Sequence, residues 1–330
     1  MGVTARRSAA FAVEVAGVAA GLGTLEQVAD KVVGAPDPGL RPTRTNEQVE
    51  LLDRRDPTGA SRVVARSTSE LLRRYAEGAV ADGPLLAVAI AGALRISLER
   101  AVGQGQPPST AIDFAAAAVR DAVADQPAID VLLERVTGLA RTEAGGPAGR
   151  LTSDVAVEAD RFERDVVTRH GSVADQAARR VLARTEGDCD LLLVGDGSRY
   201  AGAGTATTTA AAVLMAEAGR LRSVSLLKAE DDDPAARWMA LDLVHSGIDV
   251  RIVSPPQAAE LLAAEPTRRV LLASNARLTD GRTVVAAREW AGIDAHARRV
   301  VALVGAFGER ATGVPAGSSD VAVELESVIG

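Results

Sequence analysis

The sequence predicts an α/β protein in which a helical N-terminal domain precedes a C-terminal domain built on a parallel sheet. Three observations carry this. The first part of the chain repeats its apolar residues at helical spacing. The last part holds short continuous apolar runs of strand length, and helix-length gaps separate most of those runs, as in repeated strand-helix units.

In the first part, "STSELLRRYAEG", "LLAVAIAGALRISLERAV" and "AIDFAAAAVRDAVADQ" each read as a helix, and no strand is expected among them. Gly/Pro-rich breaks at "GQGQPPST" and "AGGPAGR" punctuate the helices, and the second sets a boundary. The expected division is 1–150 for the helical domain, 151–187 for a long connecting helix with a break near Gly171, and 188–330 for the sheet domain. There the runs "DLLLV", "SVSLLK", "DVRIV", "RRVLLAS" and "RVVALVG" read as buried parallel strands. "TTTAAAVLMAEAGRL" and "DPAARWMALDLVHSG" read as helices, the latter closed by Gly247 just past its last turn. The pattern is doubly wound and Rossmann-like, so ligands are expected beyond the carboxyl ends of the strands.

Composition narrows the function. Lys and Arg total 37 against 44 Asp and Glu, a net charge of -7, and aromatics make up 2%. Nucleic-acid binding is disfavoured, because phosphate backbones select a basic face and bases stack on aromatic rings. No stretch reaches the roughly 20 apolar residues of a membrane helix. The N-terminal "ARRSAAFAVEVAGVAAGLG" is interrupted by Glu14, which favours an amphipathic helix over a secretory signal. A single cysteine, Cys189, rules out an internal disulfide framework and suits a reducing, cytoplasmic setting. His170, His245 and His296 lack zinc spacing and read as surface residues; no metal or other cofactor is expected.

The loop "GDGSRYAGAG", Gly195 to Gly204, could bring backbone amides to an anion at a helix start, with Gly197, Ser198 and Arg199 touching the ligand, or it could be a plain strand-to-helix turn. Its glycines match neither dinucleotide spacing nor a P-loop. The acidic run Glu230 to Asp233 caps a helix in the preferred reading; the alternative joins it to Asp196 as a pocket for a metal or cation. Arg277 and Asp280 could hold a ligand's polar edge, although "TDGR" is also a good turn. Arg237 and Trp238 open a helix at the rim, with Trp238 read as core or interface rather than a stacking platform.

Several segments in order, "RRDPTGASRVVARSTSELLRRYAEG", "GSVADQAARRVLARTEGDCDLLLVGDGS", "LDLVHSGIDVRIVSPPQAAELL", "RRVLLASNARLTDGRTV" and "AGIDAHARRVVALVG", resemble the family of the α, β and δ subunits of initiation factor 2B, methylthioribose-1-phosphate isomerase and ribose-1,5-bisphosphate isomerase. The likeness runs from about residue 50 to the end. It implies a homodimer joined through the C-terminal domains and, for the isomerases, proton transfer by a cysteine and an aspartate on a phosphosugar. At those two positions this chain carries Asp196 and Asn275, and an asparagine cannot shuttle a proton at neutral pH. Asp231 stands near an expected phosphate-binding arginine, and Thr58 replaces another, with Gly59, Ala60 and Arg62 beside it. The resemblance therefore implies a diverged protein that binds a small metabolite, a sugar phosphate or nucleotide, without the isomerase chemistry. The alternative is an aldose-ketose isomerase using Asp196 as acid/base, with Arg62, Arg199 or Arg277 on the phosphate. An initiation-factor role is a weaker third reading.

Overall fold

A computed structural model describes residues 42–45, 47–56, 61–123, 126–143, 147–229, 233–274, 276–291, 293–304, 309–310 and 320–329. The N-terminal amphipathic segment, Thr58, Gly59, Ala60, Glu230, Asp231, Asp232 and Asn275 lie outside them.

The first half is not all-helical. Strands β1 (Thr43–Arg44), β2 (Val49–Leu52) and β3 (Arg62–Ala65) form a small antiparallel sheet ahead of the helices. Helical spacing sought over long windows misses such short strands, in which Val49, Leu51, Val63 and Ala65 supply the buried positions. Four helices follow: α1 (Thr68–Ala76), α2 (Pro84–Gly103), α3 (Pro108–Ala122) and α4 (Pro127–Thr142). Ser67 caps α1 through its side chain, and proline opens each of the other three, where its missing N–H costs no hydrogen bond. Helix α2 is apolar on nearly every side and forms the centre of this half, as an all-round hydrophobic helix must.

Helix α5 (Ala148–Ala183) runs unbroken for 36 residues, about 54 Å at the usual rise. Leu151, Val155, Ala159, Phe162 and Val166 bury one end of its stripe in the first core, and Val173, Ala174, Ala177, Ala178 and Val181 bury the other against the sheet. Gly171 does not break it. A Cβ there would sit 3.2 Å from Thr205 Cγ2, so glycine serves close packing against the loop above.

The main sheet is six parallel strands in the order β13-β10-β7-β4-β5-β6. Their ranges are β4 (Cys189–Val194), β5 (Leu221–Leu227), β6 (Val250–Val253), β7 (Arg269–Ser274), β10 (Val300–Val304) and β13 (Glu326–Ile329). Five match the expected apolar runs; the edge strand β13 was not expected. Helices α5, α6 (Thr208–Glu217) and α7 (Pro234–His245) cover one face, and α8 (Pro255–Ala264) packs on the other. Past β7 the chain forms β8 (Ala276–Leu278), β9 (Thr283–Ala286) and the single-turn helix α9 (Ala287–Trp290). The hairpin β8–β9 joins a second four-stranded sheet with β11 (Glu309–Arg310) and β12 (Asp320–Val323), also unforeseen. Gly247 closes α7 with φ +72°, and the Gly247 and Ile248 amides bond back to Val244 and Leu243 in a Schellman motif. Among the described residues, no helix is long and apolar enough to cross a membrane.

The two halves meet at the loop after β4. Tyr200, Ala201 and Ala203 leave the sheet to enter the first hydrophobic core, where Tyr200 is fully buried and stacks on Trp238 with ring centroids 4.5 Å apart. Gly202 makes this possible, since a Cβ there would fall 1.7 Å from the Thr205 carbonyl oxygen and 2.9 Å from the His170 ring. Gly202→Ala should therefore lower the unfolding free energy by about 3 kcal/mol or more, read from the urea midpoint, whereas a loss under 1 kcal/mol would mean that the loop yields easily.

Candidate functional site

Strand order fixes where a ligand would sit. From β4 the chain winds outward through β5 and β6, then returns to β7 on the other side of β4, so the switch point lies between β4 and β7. The ends of these strands nearly touch: a Cβ on Gly195 would lie 2.7 Å from the Ala273 carbonyl oxygen. Asp196 follows directly.

The Asp196 side chain is 18% exposed. Its Oδ1 accepts the Ser198 hydroxyl at 2.7 Å and the Ser198 amide at 3.4 Å, and its Oδ2 faces the Arg54 guanidinium at 3.8 Å. Burial pushes this carboxyl above the usual aspartate range, and Asp233 pushes it further; Arg54 and the Ser198 bonds pull the other way. Arg54 comes from the turn after β2 and also anchors Trp238, whose indole donates to the Arg54 carbonyl at 3.1 Å. Nothing in the sequence marks Arg54 among its neighbouring arginines, because only packing of the first half on the second brings it to the strand end.

A second buried acid lies close enough for the two charges to repel. Asp242, on α7, accepts the Arg199 amide at 2.7 Å and the Thr209 hydroxyl at 3.2 Å, and faces the Arg199 guanidinium at 3.9 Å. Burial raises its pKa to about 6 despite these donors. Asp242 looks unremarkable in sequence, one acid within an amphipathic helix, so its burial could not have been read there.

The other candidates separate. The loop amides that might cradle a phosphate are spent internally: Gly197 on Gly195, Gly202 on Ser198, Gly204 on Arg199 and Thr207 on Gly197. Asp233 is a helix cap, accepting the Ala235 and Ala236 amides at 3.0 and 3.3 Å and the Ala229 amide at 3.1 Å. No cluster of His, Cys, Asp and Glu suited to a metal occurs among the described residues. Arg237 is half-buried in the first turn of α7. Arg62 is exposed on β3 and faces Glu50 at 3.8 Å. Arg277 bonds the Gly281 carbonyl, and Asp280 pairs with Arg282 at 2.7 Å, so both serve the β8–β9 turn. Cys189 is buried at the start of β4, which raises its thiol pKa. His170 is not a surface residue: 6% exposed, it packs under Gly202 from α5, and burial lowers its pKa to about 4.

Beside the loop, α5, α6 and the end of α7 enclose a groove of about 900 Å³ lined by Thr168, Arg199, Val213, Leu214, Asp242 and His245 among others.

Solved structures share this fold. One is 5-methylthioribose 1-phosphate isomerase from Pyrococcus horikoshii, with a TM-score of 0.62 over 83% of this chain and 78% of that one, at 14% identity. The fold is that of methylthioribose-1-phosphate isomerase and the initiation factor 2B subunits. The delta subunit of translation initiation factor eIF-2B from A. fulgidus matches with TM-score 0.58, 15% identity and coverage of 84% and 80%. A chain of the tetrameric eIF2B-beta2-delta2 complex from C. thermophilum matches with TM-score 0.57, 16% identity and coverage of 76% and 80%. No protein-family model and no curated protein matches the sequence. At such low identity the shared isomerase/initiation factor fold says nothing of activity.

The two buried titrating groups act on stability in opposite directions. Asp242 has a folded pKa of about 6 against 3.8 unfolded, so the native state holds the extra proton in that window and stability falls as pH rises through it. His170 has a folded pKa of about 4 against 6.5, so the unfolded state holds the extra proton and stability falls as pH drops. The stability advantage of wild type over Asp242→Asn should therefore shrink by on the order of 3 kcal/mol between pH 4 and 7. Urea titrations at several pH values test this; a difference that does not vary with pH would mean that Asp242 is not buried as described.

Proposed function

We propose that this chain binds a small polyhydroxylated metabolite, a sugar phosphate or nucleotide, at the β4/β7 switch point, without cysteine-based proton transfer. One observation carries the reading: the chain's single thiol, Cys189, begins β4, while Asp196 follows its end. At strand rise the two are roughly 20 Å apart. No cysteine of this chain can reach a substrate there. Asp196, held by the fully buried Ser198 hydroxyl, suits sugar hydroxyls, and a phosphate would lie toward Arg54 or Arg237. Gly197, Arg199 and, by resemblance, Gly59 would border the ligand, with Asn275 at the end of β7. Arg277 and Asp280 stay with their turn.

A second reading, an aldose-ketose isomerase with Asp196 as acid/base, gains support from the raised proton affinity of that carboxyl. Thermal shift and turnover assays separate the two. The binding reading expects stabilisation by ribose 5-phosphate or a nucleotide, about 2.7 kcal/mol at a hundredfold excess over Kd, lost in Arg54→Gln and Asp196→Asn. Turnover of ribose 1,5-bisphosphate or methylthioribose 1-phosphate near 1 per second or above would establish the isomerase instead. Silence in both assays would remove the site.

The same reading includes a homodimer in a reducing, cytoplasmic setting. Helix α6 is apolar on all sides, yet Val213 and the 37% exposed Leu214 face the open groove, and such a helix is ordinarily covered on both faces. Leu214→Asp should shift the mass in light scattering from two chains to one; wild type that is monomeric at micromolar concentration would refute the dimer.

A further inference from the structure

The two buried carboxyls are joined by one peptide group. Its carbonyl, on Gly197, accepts the Thr207 amide at 3.1 Å and lies 3.2 Å from the Thr209 hydroxyl. Its N–H, on Ser198, points to Asp196 at 3.4 Å. The Thr209 hydroxyl lies 3.2 Å from Asp242 as well, so a single hydroxyl proton faces two acceptors, Gly197 O and Asp242 Oδ2. Which acceptor it serves depends on Asp242.

When Asp242 is ionised, the hydroxyl donates to the charge, because hydrogen bonds to an ionised acceptor are about twice as strong. When Asp242 is protonated, its own O–H can donate to Thr209, and the threonine proton turns to the Gly197 carbonyl. A peptide whose carbonyl accepts an added bond offers a more polarised N–H on its other side. That N–H belongs to Ser198 and strengthens the hold on ionised Asp196.

We propose that Asp242, Thr209 and the Gly197–Ser198 peptide form a hydrogen-bond relay through which the proton on Asp242 sets the hold on Asp196. Asp242 is then a positioning residue for the strand-end site, and the relay rests on the ligand-binding reading only for its use, not for its existence. The charged groups around Asp242 are few. The loop supplies Arg199 and, through the relay, Asp196; α6 supplies Thr209 and, along the groove, Glu217; α7 adds His245. From α5 the groove receives Val167, Thr168, Gly171 and Ala174, none titratable, while His170 packs under Gly202. The relay opens at Asp242 onto the groove, so whatever fills that groove also bears on Asp196.

Amide resonances of deuterated, ligand-free protein followed from pH 4.5 to 8 test the relay. In wild type the Arg199 amide, bonded directly to Asp242, and the Ser198 amide should titrate together with a midpoint near 6. In Thr209→Val the Arg199 amide should still titrate while the Ser198 amide loses more than half its amplitude, and Thr209→Ser, which keeps the hydroxyl, should restore it. In Asp242→Asn the Arg199 amide should be flat, and the Ser198 amide should keep only the response to the Asp196 carboxyl it is bonded to. Full Ser198 titration in Thr209→Val or in Asp242→Asn, or no titration in wild type, would each overturn the relay. Because no ligand is present, these outcomes stand apart from success or failure of the binding assay.

Discussion

Everything at the strand end depends on Tyr200 leaving the sheet for the neighbouring core. The ring is fully buried between the halves, stacked on Trp238, with its hydroxyl donating to the Leu52 carbonyl at 3.0 Å. An aromatic of this size contributes several kcal/mol when buried, enough to fix the loop that carries it. The Leu85 amide accepts the same register, donating to the Ala201 carbonyl at 2.9 Å at the start of α2. Because Arg54 follows Leu52 by two residues, the tyrosine that docks on β2 also brings this guanidinium to Asp196. Helix α5 supports the junction from below by burying one stripe in each core.

That anchoring explains why the glycine-rich loop is not an anion cradle. Gly197 and Gly202 are small because Thr208 and Thr205 approach their α-carbons, not because a ligand does; a Cβ on Gly197 would lie 2.0 Å from Thr208 Oγ1. The amides turn inward to loop carbonyls, leaving polar chemistry to side chains. Those side chains are chiefly acids with cationic partners, Asp196 with Arg54 and Asp242 with Arg199. Each pair sits where desolvation favours the neutral acid and the guanidinium favours the charge, and in both desolvation is the larger effect.

Legibility in the sequence followed the range of the interactions. Strands β4, β5, β6, β7 and β10 were visible because burial on both faces demands continuous apolar runs, and the cap at Gly247 because a left-handed residue favours glycine. Asp233 was readable as a cap from its place before Pro234. Strands β2 and β3 were missed because four residues carry too little pattern, and β13 because an edge strand needs only a neighbour. His170 was misread because its polar sequence neighbours hide that α5 turns the ring beneath Gly202.

The sequence by itself determined the α/β class, the strand ends as the place of a candidate site, and the presence of an aspartate rather than a cysteine in the loop after β4. These depend on local pattern, on strand direction and on composition. Tertiary structure alone decided that Arg54 meets Asp196, that Asp242 lies buried under Arg199, and that one peptide group links the two carboxyls. The first two of these join residues 142 and 43 positions apart in the chain. Their geometry arises from Tyr200 docking and α7 packing, which no short stretch of sequence encodes.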